Sequence, residues 1–337
     1  MTASYQRKIL PGLQRSAPLV WSLVAATMLS HSTAASSQDY PRGNINLVIP
    51  IAPGDGADVT GRNLAEELGK LLKVSVVVVN RPGAGMALGT DNVAKAKKDG
   101  YTVGLTTNGA LTIRRVLDPA TASYDPDRDI THLGLTMRTP SILAVGSDAP
   151  YRTLGEMVEY SKRNPGKVRL GTAGTGSVGD FCMAIVSAMT GAEFTAVPYA
   201  GATPAITALR GGHIEGVFLS LGVVSAHLRS GAMKGIVISS KFPAFADIPT
   251  MADLGYKQNL LGVSLLFFVP AGVPAEVNAI LQPAIEKLVK DPVMAAKHLT
   301  MGWVHEYAGP ERVAAEMRDE LRMVEQIARA RGMINAR

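Results

Sequence analysis

Two glycine-rich turns hold the residues whose type and spacing point to chemistry. The first, Pro53-Gly54-Asp55-Gly56-Ala57-Asp58, follows the apolar run Ile45-Asn46-Leu47-Val48-Ile49-Pro50-Ile51. The second, Gly171-Thr172-Ala173-Gly174-Thr175-Gly176-Ser177, follows Lys167-Val168-Arg169-Leu170. A helical pattern succeeds each turn. The first amides of a helix lack partners and carry the positive end of its dipole, so both turns suit an anion. Neither turn contains Lys, Arg, His or Cys. The chemistry they support is capture of a small anion between two lobes.

The candidate contacts are Ala52, Pro53, Gly54, Asp55, Gly56 and Ala57 in the first turn, with Ala173, Thr175, Gly176 and Ser177 in the second. Asp58 reads as the N-cap of the first helix, orienting its loop. Asp180 falls in the first turn of the second helix, where a carboxylate favours the dipole. Asp55 reads either as a ligand contact or as a solvated turn residue. Thr107 and Asn108 end a strand, Tyr199 follows Pro198 and could close over a ligand, and Ser220 ends another strand. If Asp55 and Asp180 both face the site, they repel a dianion in a low-dielectric cleft. The expected ligand is then a monocarboxylate that also bears an ammonium, amide or hydroxyl group.

Gly174-Thr175-Gly176-Ser177-Val178-Gly179 also fits G-x-G-x-x-G between a strand and a helix, with Glu193 about 20 residues on. A dinucleotide-dependent oxidoreductase is therefore the rival from a different class. A serine hydrolase using Ser177 lacks the G-x-S-x-G elbow, because Thr175 stands where the pattern needs Gly. The one cysteine, Cys182, lies among Phe181, Met183, Ala184 and Ile185, the setting of a buried thiol. With a single Cys no intramolecular disulfide forms. The six His residues have no zinc-like spacing. No cofactor and no metal are expected.

Residues 1–35 read as a secretory signal. Arg7, Lys8 and Arg15 make its basic start, Ala17 to Ser30 its uncharged core, and Ser32-Thr33-Ala34-Ala35 its cleavage region. The core is shorter than the ~20 residues of a membrane span. The chain is thus expected in the periplasm, beginning at Ser36. The signal supplies three of the net +6 charges and no acid, so the remainder is only mildly basic. No Lys/Arg cluster interleaves with aromatics, which make up 5% of the chain, so no nucleic-acid partner is expected.

From residue 45 onward, apolar β-rich runs alternate with helical patterns, which argues for α/β layers with largely parallel sheets. Strands are expected at 45–51, 74–79, 101–106, 132–137, 142–145, 167–171, 194–197, 214–219, 235–239 and 264–269. Helices are expected at 58–72, 153–163, 178–190, 203–210, 223–229, 274–290, 292–300 and 310–330. The nearly unbroken apolar run 74–79 reads as a fully buried strand. Thr153 and Glu156 form a capping box. The order suggests a hinged clam: residues 36–138 plus 263–337 as one lobe, and 139–262 inserted as the other.

Further turns complete a recognisable series: Pro50-Ile51-Ala52-Pro53-Gly54, Asn80-Arg81-Pro82-Gly83-Ala84-Gly85, Asp99-Gly100-Tyr101-Thr102, Tyr124-Asp125-Pro126, Gly174-Thr175-Gly176-Ser177, Val197-Pro198-Tyr199, Ile248-Pro249-Thr250 and Val269-Pro270-Ala271-Gly272-Val273-Pro274. In this order and spacing the chain resembles the Bug family, the substrate-binding proteins of tripartite tricarboxylate transporters. The resemblance runs from about residue 40 to 327. It implies a two-lobed periplasmic binding protein of type II, the Venus-flytrap form, without catalytic residues. It also implies a small carboxylate ligand, held largely by backbone N–H groups and waters of the loops at 50–58 and 171–177. The implied partner is a membrane permease, or a sensor kinase in a sensing role, with the protein a monomer. Four positions depart from the family: Asp55 replaces a common Gly, Asp180 an often-found His, Ala200 a common Lys, and Leu219 stands near a common Asp.

Overall fold

The computed structural model describes residues 40–334; the expected signal and its cleavage point lie outside them. In order the elements are β1 (Ile45–Ile49), α1 (Gly56–Leu72), β2 (Val76–Asn80), α2 (Ala87–Ala94), β3 (Thr102–Thr107), α3 (Asn108–Leu111), α4 (Ile113–Leu117) and β4 (Ile130–Thr139). After Pro140 come β5 (Ser141–Gly146), α5 (Leu154–Arg163), β6 (Val168–Thr172), α6 (Val178–Thr190), β7 (Phe194–Pro198), α7 (Ala202–Arg210), β8 (Gly216–Ser220), α8 (Leu221–Arg229) and β9 (Met233–Ile238). The chain closes with β10 (Val263–Pro270), α9 (Ala275–Val289), α10 (Pro292–Thr300), β11 (Val304–Ala308) and α11 (Pro310–Ala330).

The strands form two sheets. Six run in the order β11-β4-β10-β3-β1-β2, and five in the order β7-β6-β8-β5-β9. β1 pairs in parallel with β2 and β3, and β6 with β7 and β8. β10 runs antiparallel to β3 and β4, β11 antiparallel to β4, and β5 antiparallel to β8 and β9. The result is two lobes, each a mixed sheet flanked by helices. The reversed β5 and β10 follow segments that pass from one sheet to the other without a crossover helix, which frees them from the parallel rule.

Period-two alternation lets each strand of the second sheet serve two cores. Leu143 and Phe218 pack with Leu170 and Phe181 beneath α6, while their neighbours Ile142 and Val217 pack with Leu209 and Val224 beneath α7 and α8. In the first sheet Val48, Leu135, Leu266 and Phe268 pack with Ala87, Val93, Val313 and Met317. The Thr153/Glu156 capping box forms as expected. Two expectations are corrected. β2 is an edge strand, and Val77 is 43% exposed, because a run of valines fits an edge as well as a centre. β11 interrupts a region read as helical; its short sequence Val-His-Glu-Tyr-Ala offers little alternation against the strong helical patterns around it.

Both passages between the sheets are bonded tightly. Only Pro140 separates β4 from β5, and its carbonyl accepts from Leu221 N at 2.7 Å. Thr139 Oγ1 donates to Gly302 O at 2.7 Å and accepts from Gly222 N at 3.1 Å. At the return, Asn108 Oδ1 accepts from Ser264 N at 3.0 Å, and its Nδ2 donates to Gly262 O at 3.1 Å and to the Glu320 carboxylate at 3.0 Å. Arg138 ties the same strands together through Ser264 Oγ at 3.0 Å, Glu306 at 2.9 Å and Glu316.

Two histidines are buried without charge. His305 Nδ1 donates to Val289 O at 2.8 Å, so its Nε2 accepts from His298 Nδ1 at 2.6 Å and His298 Nε2 is left bare. Neither ring nitrogen of His132 has a partner. Burial pushes His132 and His298 down to about 4. A base whose folded value lies below its unfolded value of ~6.5 stabilises the fold fully above that value, and the contribution is lost as pH falls toward the folded one. Lowering the pH from about 7 to about 5 is therefore expected to cost about 2 kcal/mol per histidine. Urea denaturation across that range should show the loss, reduced in His132→Phe.

Candidate functional site

A cavity of about 400 Å³ opens between the ends of the two sheets, a size suited to a small molecule. α1, α6, α7 and α8 all bring their first residues to it. Ala57 comes from α1, Val178 and Gly179 from α6, Ala202 from α7, and Val223 with the N-cap Ser220 from α8. Four helix N-termini converge on one cavity, which favours an anion wherever their amides are left unpaired.

Asp55, Ala57, Thr107, Ala173, Thr175, Ser177, Tyr199 and Ser220 line this cavity. Ala52, Pro53, Gly54, Gly56, Asp58, Asn108, Gly176 and Asp180 do not. Most of the latter group have a structural occupation. Asp55, not Asp58, is the N-cap of α1, accepting from Ala57 N at 3.1 Å. The helix begins at Gly56, two residues earlier than expected, which puts Asp58 inside its first turn. There Asp58 accepts from Gly54 N at 2.9 Å, Arg62 Nε at 3.0 Å and Asn80 Nδ2 at 2.7 Å. Burial raises its pKa, but these bonds outweigh it and hold the carboxyl below the usual range. Asp58 thus fixes the shape of the Ala52-Pro53-Gly54 turn, in which Gly54 takes φ +81°.

Asp180 turns back on its own loop and accepts from Gly176 N at 2.8 Å. Its burial outweighs that bond and the nearby Arg114 charge, and raises its pKa. Gly176, at φ +74°, packs against Arg114. Gly56 packs against Val223, so a Cβ there would come within 3.0 Å of that side chain. Asn108 is consumed by the return between the sheets. Ser177 caps α6 through Asp180 N at 3.3 Å while still lining the cavity.

Three contributors are absent from the sequence reading. Arg114, only 7% exposed, is the one cationic residue lining the cavity among the described residues. Its Nη1 donates to Thr175 O at 3.3 Å, its Nη2 pairs with Asp118, and its Nε has no partner. In Leu-Thr-Ile-Arg-Arg-Val-Leu nothing marks one arginine as buried. Trp303 also lines the cavity, its Nε1 unpartnered against Gly222, where any Cβ would fall within 2.2 Å of that nitrogen. The third is the turn Pro82 to Met86, whose Gly83, Ala84, Gly85 and Met86 all take positive φ. A Cβ on Gly85 would stand 2.3 Å from Thr175 O, so glycine is what lets this turn touch the second glycine loop. The sequence marked that segment only as a turn.

Cys182 is fully buried and its thiol is pushed up to about 12 by that burial. Among the described residues no cluster of His, Cys, Asp and Glu has the geometry of a metal site.

The comparison with known proteins agrees with this geometry. The family model described as tripartite tricarboxylate transporter family receptor, TctC, matches residues 60–336. A UPF0065 protein from the TAR-I ttuE-ttuC' intergenic region of Agrobacterium vitis is 30% identical across 86% of this chain and 84% of its own. The periplasmic binding protein BugD superimposes with a TM-score of 0.82 at 28% identity, covering 87% of this chain and 99% of BugD. MatC from Rhodopseudomonas palustris, solved with bound malate, gives 0.82 at 25% identity, over 86% of this chain and 100% of MatC.

Because Asn108 holds the return strand and a half-buried carboxylate rather than the cavity wall, Asn108→Ala should cost about 1–3 kcal/mol of stability. Urea denaturation measures this; a loss below about 0.5 kcal/mol would mean the bonds at Ser264, Gly262 and Glu320 carry no weight.

Proposed function

The chain belongs to the TctC family of tripartite tricarboxylate transporter receptors, periplasmic solute-binding proteins without catalytic activity, and from that premise we propose that it captures a small monocarboxylate between its lobes and hands it to a permease of that type. The observation that carries the reading is the single cavity wall on which helix N-termini from both sheets meet beside Arg114. MatC, which superimposes on this chain, was solved with malate, a small dicarboxylate.

The choice of a monocarboxylate rests on Asp55. Of the two carboxylates expected to repel a dianion, Asp180 is set back in its loop and Asp55 lines the cavity. A second ligand carboxylate near Asp55 meets a like charge in a poorly screened place, whereas an ammonium, amide or hydroxyl meets an acceptor. The ligand's own carboxylate belongs with the first residues of α6 and with Arg114. In this reading residues 139–262 move as one lobe against 36–138 and 263–337, turning at the two passages beside Pro140 and Gly262. The signal directs export and is cleaved near Ala35, and the protein acts as a monomer.

A thermal-shift screen of the chain from Ser36 tests this, using amino acids, hydroxy acids, di- and tricarboxylates, aromatic carboxylates and nicotinamide cofactors. A specific ligand at a hundred times its Kd adds about 2.7 kcal/mol of stability. Stabilisation by a monocarboxylate, and not by the matching diacid, is the expected result. A shift with nicotinamide dinucleotide and with no carboxylate would replace the reading by an oxidoreductase.

A further inference from the structure

We propose that the Asp55 side chain is a built-in carboxylate that draws the two lobes together and denies the N-terminus of α7 to any carboxylate of the ligand. The selective half of this proposal rests on the carboxylate-binding reading above; the closing half does not. Asp55 uses its two oxygens on two helices from opposite sides of the cleft. Oδ1 accepts from Ala57 N of α1 at 3.1 Å, and Oδ2 accepts from Ala202 N of α7 at 2.8 Å. One oxygen is enough for an N-cap. The second therefore does work that capping α1 does not require.

α7 has no cap of its own. Its N-cap residue is Gly201, with no side chain and no cap hydrogen bond, and Gly201 takes φ +132°. At that φ only glycine sits without strain, and a Cβ there would stand 3.4 Å from Asp55 Oδ2, in ordinary contact, so the carboxylate of the other lobe lies directly against the N-cap. A second strut runs beside it, where Thr203 Oγ1 donates to Gly54 O at 3.4 Å. Asp55 is 5% exposed and lines the cavity. It holds the place at α7 that a bound anion would take at any uncapped helix start. A ligand carboxylate placed there would meet the Asp55 oxygens at contact distance. The remaining anion positions are at α6 and Arg114, so the cavity offers one carboxylate seat and beside it an acceptor.

Three variants test the proposal. Asp55→Gly removes the carboxylate. Asp55→Asn keeps an oxygen to cap α1. Ala202→Pro removes the N–H on the far side and leaves Asp55 intact, at the first helical position, where proline is tolerated. Small-angle scattering of the ligand-free protein should give a larger radius of gyration in Asp55→Gly and in Ala202→Pro than in wild type. Binding of matched pairs, butyrate with succinate and pentanoate with glutarate, should show the diacid-to-monoacid affinity ratio rising about tenfold in Asp55→Gly. Asp55→Asn, which is neutral, should raise the ratio as well. Unchanged dimensions in both Asp55→Gly and Ala202→Pro would overturn the latch. An unchanged ratio in Asp55→Gly and Asp55→Asn would overturn the selective role. If wild type binds no carboxylate at all, the function proposed above fails, and scattering still decides the latch.

Discussion

A helix cannot satisfy its own first amides, and the cleft of this protein is organised around that constraint. Four helices start at one cavity, and each meets the deficit differently. α1 is capped by Asp55, α6 by Ser177, and α7 by Asp55 reaching from the opposite sheet. Ser220 offers α8 no side-chain cap; its first amides go to Pro140 O and Thr139 Oγ1 at the passage between the sheets. Closing the cleft and capping its helices are thus partly the same hydrogen bonds. The start of α6 and Arg114 complete the wall of the same cavity.

The rest of the molecule holds those four starts in place. The glycine turns put the strand ends and helix starts in register, and Asp58, though away from the cavity, fixes the first turn through Gly54, Arg62 and Asn80. Asn108 and Arg138 bind the passages between the sheets to α11 through Glu320 and Glu316. These groups are charged or polar, buried or half-buried, and matched one to another. Their burial is supported by partners rather than by access to water.

Much of this was legible in the sequence where local rules govern. α6, α10 and α11 begin and end where their patterns place them, and the Thr153/Glu156 box caps α5 as its spacing requires. Both glycine turns announce helix starts because glycine and small polar residues have few other reasons to follow an apolar strand. Legibility ends where a side chain's partner is far away in the chain. Asp55 looks like a turn residue until Ala202 is brought to it, and Arg114 looks like a helix-face arginine until Thr175 and Asp118 enclose it. Asn108 sits at a strand end near the cleft, as expected of a contact, but its bonds run to Ser264 and Glu320 on the other side. The shift of the α1 cap from Asp58 to Asp55 has the same origin. Either aspartate can cap by local chemistry, and Arg62 with Asn80 claims one of them.

α11 has a mechanical consequence of its own. Val313 and Met317 near its start belong to the core of the six-stranded sheet, while Val324 and Ala328 near its end belong to the core around Phe181 and Phe218. One helix therefore runs from the core of the six-stranded sheet to the margin of the other core, where Ile113 of α4 also packs. The two strand passages alone would leave a free axle. If the lobes swing as proposed above, a helix that touches both margins resists like a torsion spring, and widening the gap bends it, slides its end or peels off its last turns. The travel of the jaws, and the force that returns them, would then be set on the back of the molecule, away from the wall that meets the ligand.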